Sequence, residues 1–377
     1  MPQVLAPARW HYLDALRASL MLLGVPYHAG LFFRGESSGL DAVVSFSTHF
    51  RMPAFFFIAG VFAVLLLERR GVTTWWSGRV RRLGIPLIFA VAVLSPIQTL
   101  ILKDGDWKAL SIKTYHAWFL LYLLIYCAIL ALAWRVARVR SLAKTAGAWA
   151  TRGPGQYLVT IAVLSVGTVV ISTAWFVLRI DERSGGLLGL GLPSQFAEFL
   201  IGVLVAAAPG TLDRLSTWAR LPVAVIAIIG SCILLTDATS IVLPGVVAGA
   251  ANFAIAGVTG MAWAAILLLL FRAGFDRASI TVRWVVDASL TVYLVHNVLI
   301  YAFGPVVASW DLHAVASSVA LTLLALLGSL IAYELANSFR LGRLLTTGHT
   351  KRGASASALL TRKPSTAPDE QPERHQA

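Results

Sequence analysis

An aspartate, an arginine and a histidine stand in one otherwise apolar stretch, as Asp14, Arg17 and His28. Arg17 and His28 are eleven positions apart, a spacing that returns a helix to the same face within about 20° and raises it by roughly 16 Å. One helix face thus carries a guanidinium near one boundary of a membrane and an imidazole well towards the other. Asp14, one turn earlier, is spaced to pair with Arg17. Pro26 cannot donate to the carbonyl of Leu22, which predicts a locally opened helix beside His28. An imidazole in such a place suits proton transfer at neutral pH. The competing readings are structural: Arg17 snorkelling to the interface and His28 bridging two helices.

Further polar residues fall at a comparable depth. His49 and Arg51 are expected to open the second span, His116 the fourth, and Glu198 to lie one turn into the sixth. Histidine, carboxylate and arginine together supply general acid–base groups and an oxyanion stabiliser; the alternative is interfacial decoration. A connecting stretch holds Arg69, Arg70, Arg79, Arg81 and Arg82. Such a cluster attracts phosphate, either on lipid heads or on a phosphate-bearing cosubstrate. His296 falls near the middle of the ninth span, where a polar cavity or a bundle-facing hydrogen bond is expected.

The elements that carry these residues follow from composition. Hydrophobic residues make up 58% of 377 and charged residues 13%, with mean hydropathy +0.76. About 25% charged is usual for a soluble domain, so too little polar surface exists to cover one. Apolar runs long enough to cross a bilayer recur near 14–33, 52–67, 84–102, 115–134, 156–178, 194–208, 221–236, 242–271, 286–308 and 314–336. In lipid these must be helices. The fold class is therefore all-α: a polytopic membrane protein of about ten transmembrane helices, multi-pass in the cell (inner) membrane.

The net charge of +13 raises nucleic acid as a partner, but its distribution excludes that reading. With loops numbered from a cytoplasmic N-terminus, only Arg34, Arg51, Lys103, Lys108, Lys113, Arg179 and Arg183 of the 31 Lys and Arg fall outside. This is the positive-inside bias, and it predicts both termini in the cytoplasm. Cys127 and Cys232 fall within spans and read as small apolar residues. The first span, with Arg17 and His28 and no small-residue cleavage site, reads as retained. Residues 1–345 form the expected transmembrane domain. Residues 346–377, rich in Ala, Ser, Thr, Pro and charge, read as a disordered cytoplasmic tail.

Several blocks stand in order along the spans: Arg17 with His28 after Leu13-Asp14-Ala15-Leu16, and Met52-Pro53 running into Phe55-Phe56-Phe57-Ile58. Arg81-Arg82-Leu83 with Ile85-Pro86, His116 before Trp118-Phe119-Leu120, Glu198-Phe199-Leu200-Ile201-Gly202, and Tyr293-Leu294-Val295-His296 follow. In their order and topology the chain resembles the acyltransferase-3 family of multipass membrane O-acyltransferases, nearest to its glucan-succinylating branch. The resemblance implies His28 as catalytic base, Arg17 as essential partner, and Arg79, Arg81 and Arg82, with Arg69 nearby, as holders of coenzyme A phosphates. It implies acetyl- or succinyl-coenzyme A as cosubstrate, with no metal, and a glycan or small-molecule hydroxyl acceptor on the outer side. Asp14, Arg51, His116 and Glu198 complete the expected catalytic set; membrane lipids are the other partner. A multipass transporter or exporter of a small polar or glycan substrate is the alternative. The oligomeric state is not legible.

Overall fold

The computed structural model describes residues 10–109, 113–184, 188–189, 191–208, 210–218, 221–277 and 279–357, and every regular element among them is helical. Among the described residues, seven helices are long and apolar enough to cross a membrane by length and composition: Ser38–Arg70, Val72–Leu102, Tyr115–Ala133, Pro154–Val177, Val247–Phe275, Ile280–Ala308 and Ala314–Ser338. Two apolar helices are shorter, Leu192–Ala207 and Val223–Leu235. The remaining expected span is a broken pair, α1 (His11–Leu22) and α2 (Gly24–Phe32). The break falls at Leu23, three residues before Pro26, whose missing N–H makes the ladder yield there.

The helix of the second expected span, α3 (Ser38–Arg70), begins well before the expected 52–67. Residues 38–51 contain no breaker strong enough to end it, and Pro53 is accommodated inside the helix. His49 and Arg51 therefore lie mid-helix, a correction to their expected place at its opening. The next helix, α4 (Val72–Leu102), contains two widened π-helical turns, Val80–Gly84 and Ala90–Leu94. Pro86 and Pro96 each lie two residues after such a turn. A proline in a helix clashes with the carbonyl four residues back, and a wider turn relieves that clash. The first π turn carries Arg81 and Arg82, with Arg79 next to it.

Next come α5 (Trp118–Ala133), α6 (Ala137–Ala150), α7 (Pro154–Val177) and α8 (Gly191–Ala207). Helix α8 crosses α3 at two glycines. A Cβ on Gly60 would stand 2.1 Å from the Phe199 carbonyl oxygen, and one on Gly202 would stand 2.0 Å from that of Phe57. Small residues let backbones in a membrane approach this closely. The chain continues through α9 (Thr211–Trp218), α10 (Leu221–Leu235), α11 (Gly245–Phe275), α12 (Ile280–Ala308), α13 (Ala314–Ser338) and α14 (Arg340–Thr347). One apolar core joins α1, α3, α5, α8 and α11; a second joins α2 to α12 and α13. Helix α12 also reaches the first core through Tyr293, Leu294 and Val298, and α3 the second through Leu40 and Val44, so His296 and Arg51 lie on the two helices that join the cores. Of the expected tail, residues 346–357 are described and 358–377 lie outside the described residues.

Candidate active site

Three imidazoles meet within the bundle. The His28 ring centroid is 5.3 Å from that of His296 and 6.2 Å from that of His116, and His116 and His296 are 5.1 Å apart. His296 is fully buried, His116 nearly so, and His28 is partly accessible. Two of the rings have their tautomers fixed by the main chain. The Nε2–H of His116 donates to the carbonyls of Tyr293 and Leu294 at 3.0 and 3.1 Å. The Nδ1–H of His296 donates to the Val292 carbonyl at 3.0 Å. The opposite nitrogens, His116 Nδ1 and His296 Nε2, are buried acceptors with no partner. Buried polar atoms are nearly always paired, so two bare lone pairs in one cluster mark a place suited to a hydroxyl donor.

His116 is held by strained local geometry. It sits in a 3₁₀ turn, Tyr115–Ala117, entered through Tyr115 at φ +40°. A tyrosine in the left-handed region is costly and persists only where surroundings over-determine it. Thr99 Oγ1 and the Tyr115 hydroxyl lie 2.8 Å apart, and the Tyr293 hydroxyl donates to the His116 carbonyl. Nearby, Asn297 Nδ2 donates to Gln98 Oε1 at 3.2 Å, joining α12 to α4.

Arg51 joins this centre. Its guanidinium carbon lies 4.1 Å from the Tyr27 ring centroid. A Cβ on Gly24 would be 3.4 Å from an Arg51 terminal nitrogen and 3.8 Å from His296 Nε2, so both side chains flank the α1–α2 break. Arg51 is only 6% exposed, and among the described residues no carboxylate pairs with it. An unpaired buried cation is expensive; an anion forming beside it would relieve that cost.

Arg17 sits lower. It pairs with Asp14 at 3.8 Å and lies over the Phe62 ring at 5.3 Å. Both residues line a cavity of about 470 Å³. Its mouth carries Arg69, Arg70, Arg79 and Arg82, then Arg343, His349 and Lys351 from the C-terminal segment. Trp75 backs Arg79 at 5.7 Å and Trp10 backs Arg69 at 4.8 Å. Arg81 does not line the cavity and is exposed. The inner end is apolar, with Met21, Phe55, Phe119 and Leu290. There the Phe119 ring meets Tyr293 at 4.3 Å, and Tyr293 meets His116 at 5.2 Å. One layer of aromatic rings therefore separates the basic cavity from the histidines.

Glu198 is elsewhere. It is buried, its Oε2 has no partner, and it lines a smaller cavity of about 130 Å³ with His49, Thr48, Ser165, Thr168 and Gln195. None of the three clustered histidines lines that space. His49 and Arg51 are two residues apart on α3, so they project to nearly opposite faces. The structure thus brings together His28, His116 and Arg51, and sets Arg17 and Asp14 in the adjoining cavity. It separates Glu198 and His49 from both. Sequence reasoning left His296 between a polar cavity and a bundle-facing hydrogen bond, did not place it among the site residues, and missed Tyr27, Arg343, His349 and Lys351. The Tyr-Leu-Val-His stretch was the available signal for His296.

A bundle of long apolar helices around a buried histidine–arginine centre, with a basic cavity leading towards it, defines an integral membrane protein built for chemistry inside the bundle. The acyltransferase-3 family model, described as an acyltransferase domain, matches residues 10–334, and the chain belongs to that family. The family's description points to acyl transfer and so implies an acyl donor. The chain is similar to the glucans biosynthesis protein C of Salmonella paratyphi B (strain ATCC BAA-1250 / SPB7) and of Salmonella heidelberg (strain SL476). Each is 36% identical over 149 residues, covering 33% of this chain and 38% of the relative. The chain thus spans well under half the length of the curated relatives it matches. No solved structure matches it.

Proposed function

We propose that the protein moves an acetyl or succinyl group from cytoplasmic acyl-coenzyme A to a hydroxyl of an outer-side glycan or related acceptor. In this reading the chain crosses the membrane ten times with both termini in the cytoplasm. The broken α1–α2 stretch and the two shorter helices join the seven long ones. The glucan named in the relatives' description favours a glucan acceptor. The observation that carries the reading is the order of the two polar regions: a cavity rimmed with arginines, and an imidazole cluster one ring layer beyond its apolar end.

The donor's phosphates bind at Arg69, Arg79 and Arg82, with Arg81 on the exposed side of the same turn. The slender pantetheine arm runs past Arg17 and Asp14 towards the Phe119–Tyr293 layer. His28 accepts the proton of the acceptor hydroxyl as its oxygen forms the C–O bond to the thioester carbonyl carbon. Arg51 stabilises the oxyanion, and the bare ring nitrogens of His116 and His296 accept from neighbouring hydroxyls of the acceptor, leaving the reacting O–H to His28. The C–S bond then breaks, the thiolate leaves with the electron pair, and it receives the proton from His28. Glu198, in its separate cavity with His49, binds acceptor hydroxyls outside the reacting centre.

Acyl-coenzyme A consumption by purified protein tests this reading. His28→Ala, at matched protein level, is expected to lose about 10²–10⁴-fold in turnover. Near-normal turnover would remove the proposed base.

A further inference from the structure

The C-terminal segment is folded against the mouth of the basic cavity. After α14 the chain turns at Gly348, where φ is +69°, and a Cβ there would stand 2.3 Å from the Arg81 carbonyl oxygen and 2.5 Å from Arg82 Cα. Only glycine tolerates both that dihedral and that approach. The segment is also latched to the ends of α12 and α13. Gly353 N donates to Asn337 Oδ1 at 2.9 Å, Ala354 N to Asp287 Oδ2 at 2.8 Å, and Ala356 N to Glu334 Oε1 at 2.8 Å. Arg343 donates from Nε to the Thr350 carbonyl at 2.9 Å and from Nη1 to the Asn337 carbonyl at 2.6 Å. These bonds fix a backbone path whose side chains Arg343, His349 and Lys351 line the cavity. His349 Nδ1 is buried there without a partner.

We propose that residues 340–353 form a wall of the donor's phosphate site, in which His349 and Lys351 bind phosphate opposite Arg79 and Arg82. This rests on the acyl-coenzyme A reading above and extends its site to the C-terminal segment. The physical case is charge and fixity. The π turn supplies Arg79 and Arg82 from one side. The latched segment supplies a second set of donors already ordered, so little conformational entropy remains to be lost on binding. Gly348 couples the two sets, because its contact with Arg81 and Arg82 makes the position of one depend on the other. Phosphate on a lipid head would satisfy the same groups, so the test has to separate the two sources.

The probe is coenzyme A, titrated into purified full-length protein in nanodiscs of phosphatidylcholine alone and again with anionic lipid. Wild type is compared with Lys351→Ala, His349→Gln, Gly348→Ala and Arg79→Ala. In the neutral nanodiscs, Lys351→Ala and His349→Gln should each weaken coenzyme A by about tenfold, the scale of a lost hydrogen bond to a charged group. Turnover of an acyl-pantetheine, which lacks phosphate, should be unchanged in both, which shows that the fold and reacting centre are intact. Gly348→Ala should weaken coenzyme A and raise amide exchange in 348–353. If Lys351→Ala and His349→Gln bind coenzyme A as wild type does while Arg79→Ala does not, the segment is not part of the site and the proposal fails alone. If those two variants lose only association with anionic lipid, the segment is a lipid contact and the proposal is overturned. If wild type binds no coenzyme A in either nanodisc, the donor reading itself falls, and this inference with it.

Discussion

Replacing Arg51 with methionine should move stability and activity in opposite directions. Arg51 is a buried cation for which no described carboxylate provides a partner. Desolvating an isolated ion costs several kcal/mol even after relaxation. The face of Tyr27, 4.1 Å from the guanidinium carbon, returns only about 2 kcal/mol. An apolar side chain of similar length removes both contributions, so Arg51→Met should leave the fold more stable by about 1–3 kcal/mol. If Arg51 meets the oxyanion, the same change should lower kcat by about 10²–10³-fold. The KM for the donor should stay near wild type, because Arg51 does not line the basic cavity. Thermal unfolding in nanodiscs reads the first quantity and acyl-transfer kinetics the second. Arg51→Lys, which keeps the charge but loses the planar fork, should fall between. A variant that unfolds more easily and still turns over within about threefold of wild type would refute the reasoning.

Other expectations follow from single contacts. Gln at 116 places an amide nitrogen where His116 Nε2 now donates and removes the bare Nδ1, so His116→Gln should fold normally yet lose about 10²-fold in turnover. Asn at 296 likewise preserves the donor to the Val292 carbonyl and deletes Nε2; the same split between melting temperature and kcat is expected, and equal activity would show that the lone pair is idle. Gly60→Ala forces a methyl group against the Phe199 carbonyl and should destabilise the α3–α8 contact by about 1–3 kcal/mol, visible as a lowered melting temperature. His349 lies outside the spanning segments, and burial, then the Arg82 charge, lowers its pKa below the usual imidazole value; Arg343 acts in the same direction, while the main chain of Lys351 and the Asp287 carboxylate oppose. A phosphate favours the charged form of His349, so coenzyme A should bind more tightly as pH falls from about 7.5 to about 6, and His349→Gln should flatten that slope. Without ligand the sign reverses: the unfolded chain takes up that proton more readily, so stability should fall through the same range.

The sequence alone determined the class of this protein and singled out several of the polar residues that the bundle gathers. Apolar runs in a chain with few charges dictate helices in a membrane, because nothing else satisfies the backbone there. Arg17, His28, Arg51 and His116 were legible because ionisable groups are costly in such runs and so stand out. Pro26 announced the break at Leu23 because a missing N–H is a local fact. Which side chains share a cavity was not local. Glu198 and Arg51 are expected at one depth, yet they face different spaces, because a two-residue step between His49 and Arg51 turns α3 by roughly 200°. His296 reads as an ordinary buried histidine until α12 packs beside α2 and sets its ring against two others. The residues after 346 read as tail from composition. Only the contacts at Gly348, Asn337 and Asp287, formed across many residues of chain, decide that their first part lines the cavity. Periodicity and desolvation cost act along the chain and can be read from it, whereas the meeting of lone pairs and charges from distant helices exists only once the bundle is packed.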